Sequence, residues 1–105
     1  MYKPLPKSVT IKVSDIDGLG LFSTETIEKD TDLGITHIIL ENIPNIDSNE
    51  IFRTPLAGFI NHSDTPNCVK RKINSKYYLI TLRKIKKNEE LTLKYTLYNP
   101  KGNND

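Results

Sequence analysis

Phe59-Ile60-Asn61-His62-Ser63-Asp64-Thr65-Pro66-Asn67-Cys68 is the stretch on which the reading of this chain turns. Two bulky apolar residues run directly into Asn-His-Ser. Burying Phe59 and Ile60 draws Asn61 and His62 inward, and a buried amide or imidazole must find hydrogen-bond partners. Those partners are the surrounding backbone, in a closed knot, or a polar ligand carrying an amine or a carboxylate. The stretch alone leaves both open. Ser63 adjoins His62 and no nucleophile-elbow glycines surround it, so a serine hydrolase fits poorly.

On either side, turn signals recur about every 8–12 residues with strand-like runs between them, the spacing of many short strands. Downstream, residues 68–72 and 77–82 form a hairpin over Asn74-Ser75, and residues 91–95 alternate again. Upstream, residues 8–13 alternate, with Val9, Ile11 and Val13 on one face. Asp15-Ile16-Asp17-Gly18 turns the chain into Leu19-Gly20-Leu21-Phe22. Residues 33–40 read as a second apolar strand, and residues 42–49, which contain Pro44, as loop. Helical signals are thin. Residues 47–50 open a short turn that Pro55 stops, and residues 54–60 hold another; no stretch keeps a 3.6-residue period for three turns. Asp30 and Asn88 stand where a turn favours glycine, and both residue types tolerate positive φ. One device therefore recurs, strand then charged turn then strand, and no other internal repeat is read. These features predict a mainly β fold of several small sheets with little helix. Residues 1–7 form an N-terminal arm, 8–98 a single domain and 99–105 a C-terminal tail.

Composition agrees with one domain. A chain of 105 residues buries about two-thirds of its surface on folding. Hydrophobic residues at 36% and charged residues at 27% are those of a globular protein. No apolar run reaches the ~20 residues of a membrane span, and Met1-Tyr2-Lys3-Pro4-Leu5-Pro6 lacks an apolar leader core. Cys68 is the one cysteine, and with two histidines it makes no zinc set, so no metal is expected. A cytoplasmic protein is expected. The net charge of +2 conceals an asymmetry. Residues 15–50 hold nine acids and one base, for −8, and residues 69–94 hold nine bases and two acids, for +7. Both sets can be solvated surface; the sharper readings are an acidic face for a basic peptide and a basic face for nucleic acid.

Two more segments carry chemistry. Gly18-Leu19-Gly20 either makes a tight turn after Asp17 or lets backbone pass close to a ligand; no helix follows it, so a dinucleotide-binding turn fits poorly. Leu91-Thr92-Leu93-Lys94-Tyr95-Thr96-Leu97-Tyr98 carries two tyrosines three apart, each either core or edge packing or a hydroxyl fixed by an apolar ring.

Together and in this order, the three segments resemble the motifs of SET-domain protein lysine methyltransferases, over about residues 9–98. Gly18-Leu19-Gly20-Leu21-Phe22 resembles the opening glycine motif, Phe59 to Ser63 with Pro66-Asn67-Cys68 the most diagnostic one, and Glu89-Glu90-Leu91-Thr92-Leu93-Lys94-Tyr95 the closing one. The resemblance implies a β-clip-like fold with a C-terminal pseudoknot near Asn61, and a methyl transfer from S-adenosylmethionine to a lysine amine of a protein or peptide. It implies cofactor binding by Gly18, Leu19, Gly20, Asn61 and His62, catalysis by Tyr95, and a substrate channel walled by Leu93 and Tyr98. Phe59 would shape the site from behind. The sequence departs from the pattern at Gly58, often arginine in the family, and at Leu93, often Phe or Tyr. It departs again at Leu33-Gly34-Ile35-Thr36-His37, which replaces an acidic–aromatic segment, and it lacks the zinc-binding cysteine tail. The short segment between motifs is similar to small viral-type members, some of them dimers, for which the setting is the host cytoplasm. Two alternatives stand beside this reading. One is a SET-like module that binds peptide or cofactor without turnover. The other is a small nucleic-acid binder using Lys70-Arg71-Lys72 with Tyr77 and Tyr78.

Overall fold

A computed structural model describes residues 5–40 and 50–94. They form eight strands and one helical turn: β1 (Val9–Val13), β2 (Leu19–Ser23), β3 (Asp32–Leu40), β4 (Glu50–Arg53), α1 (Pro55–Gly58), β5 (Asn61–His62), β6 (Cys68–Ile73), β7 (Lys76–Thr81) and β8 (Glu90–Leu93). Two four-stranded sheets result, in the orders β1-β2-β8-β5 and β4-β3-β7-β6. The mainly β expectation holds, as does the hairpin over Asn74-Ser75, where Asn74 has φ 58°.

Two expectations change. Glu50–Arg53 is a strand and not part of a helical turn, because Ile51 and Phe52 pair with Ile39 and Ile38 across the sheet. The helical turn expected over residues 54–60 is present as α1, which Pro55 opens; its fixed φ and missing N–H suit the first helical position. Val13 does not join Val9 and Ile11 against the core. It is 80% exposed, because the β1–β2 ribbon runs past the core at its tip.

The core draws on both sheets. Leu21 and Leu91 are paired in register between β2 and β8 and are fully buried. Leu33, Leu79, Cys68 and Leu56 fill the same cluster from the second sheet and α1, with Leu93 and Ile60 beside them.

The recurring turn device proves to be a structural repeat. Ile27 and Ile85 exchange both backbone hydrogen bonds at 2.8 Å and are buried together. Each is followed by a left-handed residue, Asp30 at φ 65° and Asn88 at φ 69°. Asp30 N–H donates to the Thr81 carbonyl and Asn88 N–H to the Ser23 carbonyl, both at 2.9 Å. The buried hydroxyls of Thr81 and Ser23 donate to the carbonyls of Glu28 and Lys86. Phe22 opposes Glu90 just as Ile80 opposes Asp32. Two copies of one strand–turn–strand unit thus face each other about a pseudo-two-fold. One turn carries Glu28 and Asp30, the other Lys86 and Lys87. Each copy closes its turn with the other's strand end, and this cross-bracing sets β8 beside β2.

Candidate functional site

The site forms where β5, β8 and the β1–β2 turn meet. Asn61 and His62 make only two residues of strand, β5, and run parallel to β8, with Asn61 opposite Thr92 and His62 opposite Leu93. Burial of Ile60 against the core brings them there. Phe59, partly buried, packs against the same cluster.

Asn67 ties the following loop to β8. Its amide donates to the Glu90 carbonyl at 2.8 Å, and its Oδ1 accepts from Thr92 N–H at 2.8 Å. Its own N–H donates to Thr92 Oγ1 at 3.2 Å. A buried amide satisfied at both ends locks the loop against the strand. A closed hydrogen-bond knot thus forms at Asn67, a residue for which none was expected.

Asn61 behaves differently. Its Nδ2 lies 2.9 Å from Glu90 Oε2, 3.1 Å from Ser14 Oγ, 3.1 Å from the Asp17 carbonyl and 3.2 Å from the Leu19 carbonyl. The amide thus reaches into the turn that carries Gly18, Leu19 and Gly20 and joins it to the closing strand. Ser14 Oγ donates to Glu90 at 2.7 and 2.9 Å and accepts from Ile16 N–H at 2.9 Å. That second bond is an ST-turn holding the ribbon tip.

The two glycines of the turn differ in purpose. Gly18 has φ +44°, and a Cβ there would meet nothing within 4 Å, so it serves conformation and faces open space. Gly20 is needed for room. Its Cβ would fall on Glu90 Oε2 and 3.0 Å from Asn61 Nδ2. The carboxylate occupies the place of the missing side chain.

Of the sequence-predicted residues, Gly18, Leu19, Gly20 and Asn61 come together here. His62 is next to Asn61 on β5 but turns its Nε2 to Asp64 Oδ1 at 3.1 Å. Leu93 is buried at the end of β8, opposite His62. Tyr95 and Tyr98 lie outside the described residues, and so does the expected C-terminal pseudoknot. Sequence reading passed over Ser14 and Glu90 as functional residues. Ser14 was findable as the first residue of a Ser-x-x-Asp turn. Glu90 was findable as a carboxylate opening an apolar strand.

Electrostatics frame the site. On the turn before β8, the Arg83 guanidinium bonds the Glu89 carboxylate and holds it below the ordinary carboxylate range; Glu89 also accepts from Lys86 N–H at 2.9 Å. Glu89 is thereby committed to its own turn, and Glu90 alone serves Asn61. On β3, the departed segment places His37 in the interior at 3% exposure, edge-on to Tyr77 and bonded to Thr36 Oγ1 at 3.0 Å. Burial, with Lys70 and then Arg53 nearby, pushes the imidazole down to about 4. In place of an acidic–aromatic segment, the chain carries a neutral imidazole beside two cations.

Comparison with known proteins bears on the family and the fold. The family model of the SET domain matches residues 38–96, more than half of the chain. Among solved structures, a Plasmodium falciparum protein named as a candidate histone methyltransferase is 26% identical, with 85% of this chain and 93% of that chain covered and a TM-score of 0.63. The SET domain of the RIZ1 tumor suppressor is 21% identical over 92% of this chain and 75% of its own, with a TM-score of 0.70. The methyltransferase domain of human PR domain-containing protein 2 is 19% identical over 85% and 77%, with a TM-score of 0.67. No curated protein sequence matches the chain. A glycine turn, an Asn-His strand and a closing strand fastened into one site, on a fold shared with these structures, place the chain in the SET-domain family.

Proposed function

We propose that the chain is an S-adenosylmethionine-dependent methyltransferase acting on a lysine amine of a protein or peptide. The observation that carries this reading is the meeting of the three motif segments through the Asn61 amide. Both hydrogens of that amide face oxygens of the protein. Its Oδ1 accepts from no donor among the described residues, so it is the end offered to a ligand. An acceptor beside a carboxylate suits a ligand that bears an ammonium group and a positive sulfonium. Gly18 leaves open space at the same turn. The residues present therefore fit the cofactor.

When bound, the cofactor supplies an electrophilic methyl group. The protein's part is to align a neutral amine with it, and alignment alone lowers such a barrier substantially. A free lysine near pKa 10.4 is mostly protonated at neutral pH. A dry channel beside a positive centre favours its neutral form, so no strong base is called for. Tyr95 is assigned to orient the amine, and the backbone of Gly18, Leu19, Gly20 and His62 to hold the cofactor with Asn61. Leu93 and Tyr98 are assigned to the channel wall.

Calorimetric titration with S-adenosylmethionine tests this reading. Saturable binding by the wild type that Asn61→Ala loses is expected. No binding by the wild type, with or without a lysine peptide present, would contradict it. Binding without any methyl transfer would favour the non-catalytic module, for which the rebuilt His37 segment is the structural ground.

A further inference from the structure

We propose that Glu90, acting with Ser14, is a positioning residue that fixes which end of the Asn61 amide faces the ligand. The inference rests on the reading that Asn61 meets the cofactor; the proton arrangement beneath it is independent of any ligand.

An asparagine amide has ends of nearly equal shape, an acceptor oxygen and a donor NH₂, and only the surrounding hydrogen bonds decide their order. Four oxygens lie within 3.2 Å of Asn61 Nδ2. Two are the carbonyls of Asp17 and Leu19, which can only accept. The third, Ser14 Oγ, owns one proton and donates it in a hydrogen bond to the Glu90 carboxylate at 2.7 Å. With that proton committed, Ser14 shows only lone pairs to Asn61 and to Ile16 N–H. The fourth is Glu90 itself. The carboxylate thus turns every group facing Asn61 into an acceptor. A flipped amide would set its oxygen among four acceptors with no proton between them, so NH₂ points inward and Oδ1 outward. The site reads a donor on its ligand for that reason. Gly20 protects the arrangement, since any side chain there would expel the carboxylate.

A neutral group at position 90 undoes this logic. Glu90→Gln brings its own NH₂ and releases the Ser14 proton to turn toward Asn61. The flipped amide then has donors to meet, opposed only by the two carbonyls. Ser14→Ala removes one acceptor and the relay to Glu90, whereas Ser14→Thr retains the hydroxyl.

Side-chain amide resonances of Asn61, followed by NMR without ligand, test the arrangement directly. Wild type and Ser14→Thr are expected to show two distinct, exchange-protected Asn61 protons. Exchange should be about ten-fold faster in Glu90→Gln and Ser14→Ala, the scale of one lost charge-assisted hydrogen bond. In turnover, the cofactor KM of both variants should rise about ten-fold while the peptide KM stays put. Unaltered Asn61 protons in folded variants would overturn the proposal. So would altered protons with an unchanged cofactor KM. The expected proton pattern in wild type and variants, with a wild type that binds no cofactor, would instead overturn the reading beneath it. Melting curves separate unfolding from lost positioning. Should Glu90→Gln not fold, the Ser14→Ala and Ser14→Thr pair carries the test.

Discussion

Replacing the glycines one at a time by alanine probes the site at its tightest point. Gly20→Ala places a methyl group on Glu90 Oε2 and 3.0 Å from Asn61 Nδ2. The Glu90 side chain must swing out, forfeiting the bonds from Ser14 and Asn61. Hydrogen bonds to a charged group contribute about 1.5–3 kcal/mol each. Taking the low end for this half-buried pair, Gly20→Ala costs about 3 kcal/mol. Gly18→Ala meets no atom within 4 Å but must adopt φ +44°, a conformation that costs an L-residue about 1–2 kcal/mol. Gly58→Ala, at the end of α1, meets nothing and has no such φ, so stability is unchanged or rises by about 0.5 kcal/mol. Urea denaturation of the three variants gives the ranking. The sharper form is a double-mutant cycle with Glu90→Ala, in which the space is already vacated and Gly20→Ala should cost below about 1 kcal/mol. Equal costs for Gly20→Ala and Gly18→Ala, or no coupling to Glu90, would refute the claim that the carboxylate fills the glycine's place.

Other predictions concern titration and charge. Burial pushes the Cys68 thiol up to about 12, so iodoacetamide at pH 8.5 should modify it only through unfolding, and labelling as fast as in a free thiol would contradict that burial. The same shift means that the neutral thiol's contribution to stability is full below the unfolded pKa of 9 and is lost as pH climbs toward 12. His37 is held down to about 4 against an ordinary 6.5, chiefly by burial. On acidification the unfolded chain takes up this proton first, so stability is lost as pH falls from 6.5 to 4, by at most about 3 kcal/mol. The slope over that interval should flatten in His37→Gln, and parallel curves for the two proteins would count against it. If the acidic run over residues 15–50 draws in a lysine-rich peptide, the peptide KM should rise steeply from low to physiological salt; a KM indifferent to salt would remove that role.

Much of the fold was legible because it rests on local chemistry. The strands Val9–Val13 and Glu90–Leu93, the Asn74-Ser75 turn and the left-handed Asp30 and Asn88 all follow from residue type and spacing. The β4 strand was not, because Glu50–Arg53 gains its order from Ile38 and Ile39 across the sheet rather than from its own pattern. The recurring turn was legible too, but the pairing of its two copies was hidden by chemistry that geometry ignores. Ser23 and Thr81 do one job with different side chains, and their turns carry opposite charge. The need of Asn61 for hydrogen-bond partners was recognisable. Which partners it takes was not, since Ser14 and Glu90 stand 76 residues apart and meet only once β8 lies against β2.

The most direct test of the account is methyl transfer itself. Purified protein is incubated with methyl-labelled S-adenosylmethionine and a lysine-rich peptide mixture, beside Asn61→Ala and Tyr95→Phe. The account predicts label on a lysine side-chain amine with the wild type and its loss in both variants. Label that persists in Asn61→Ala and Tyr95→Phe, or a wild type that binds the cofactor and leaves every lysine unmodified, would contradict it.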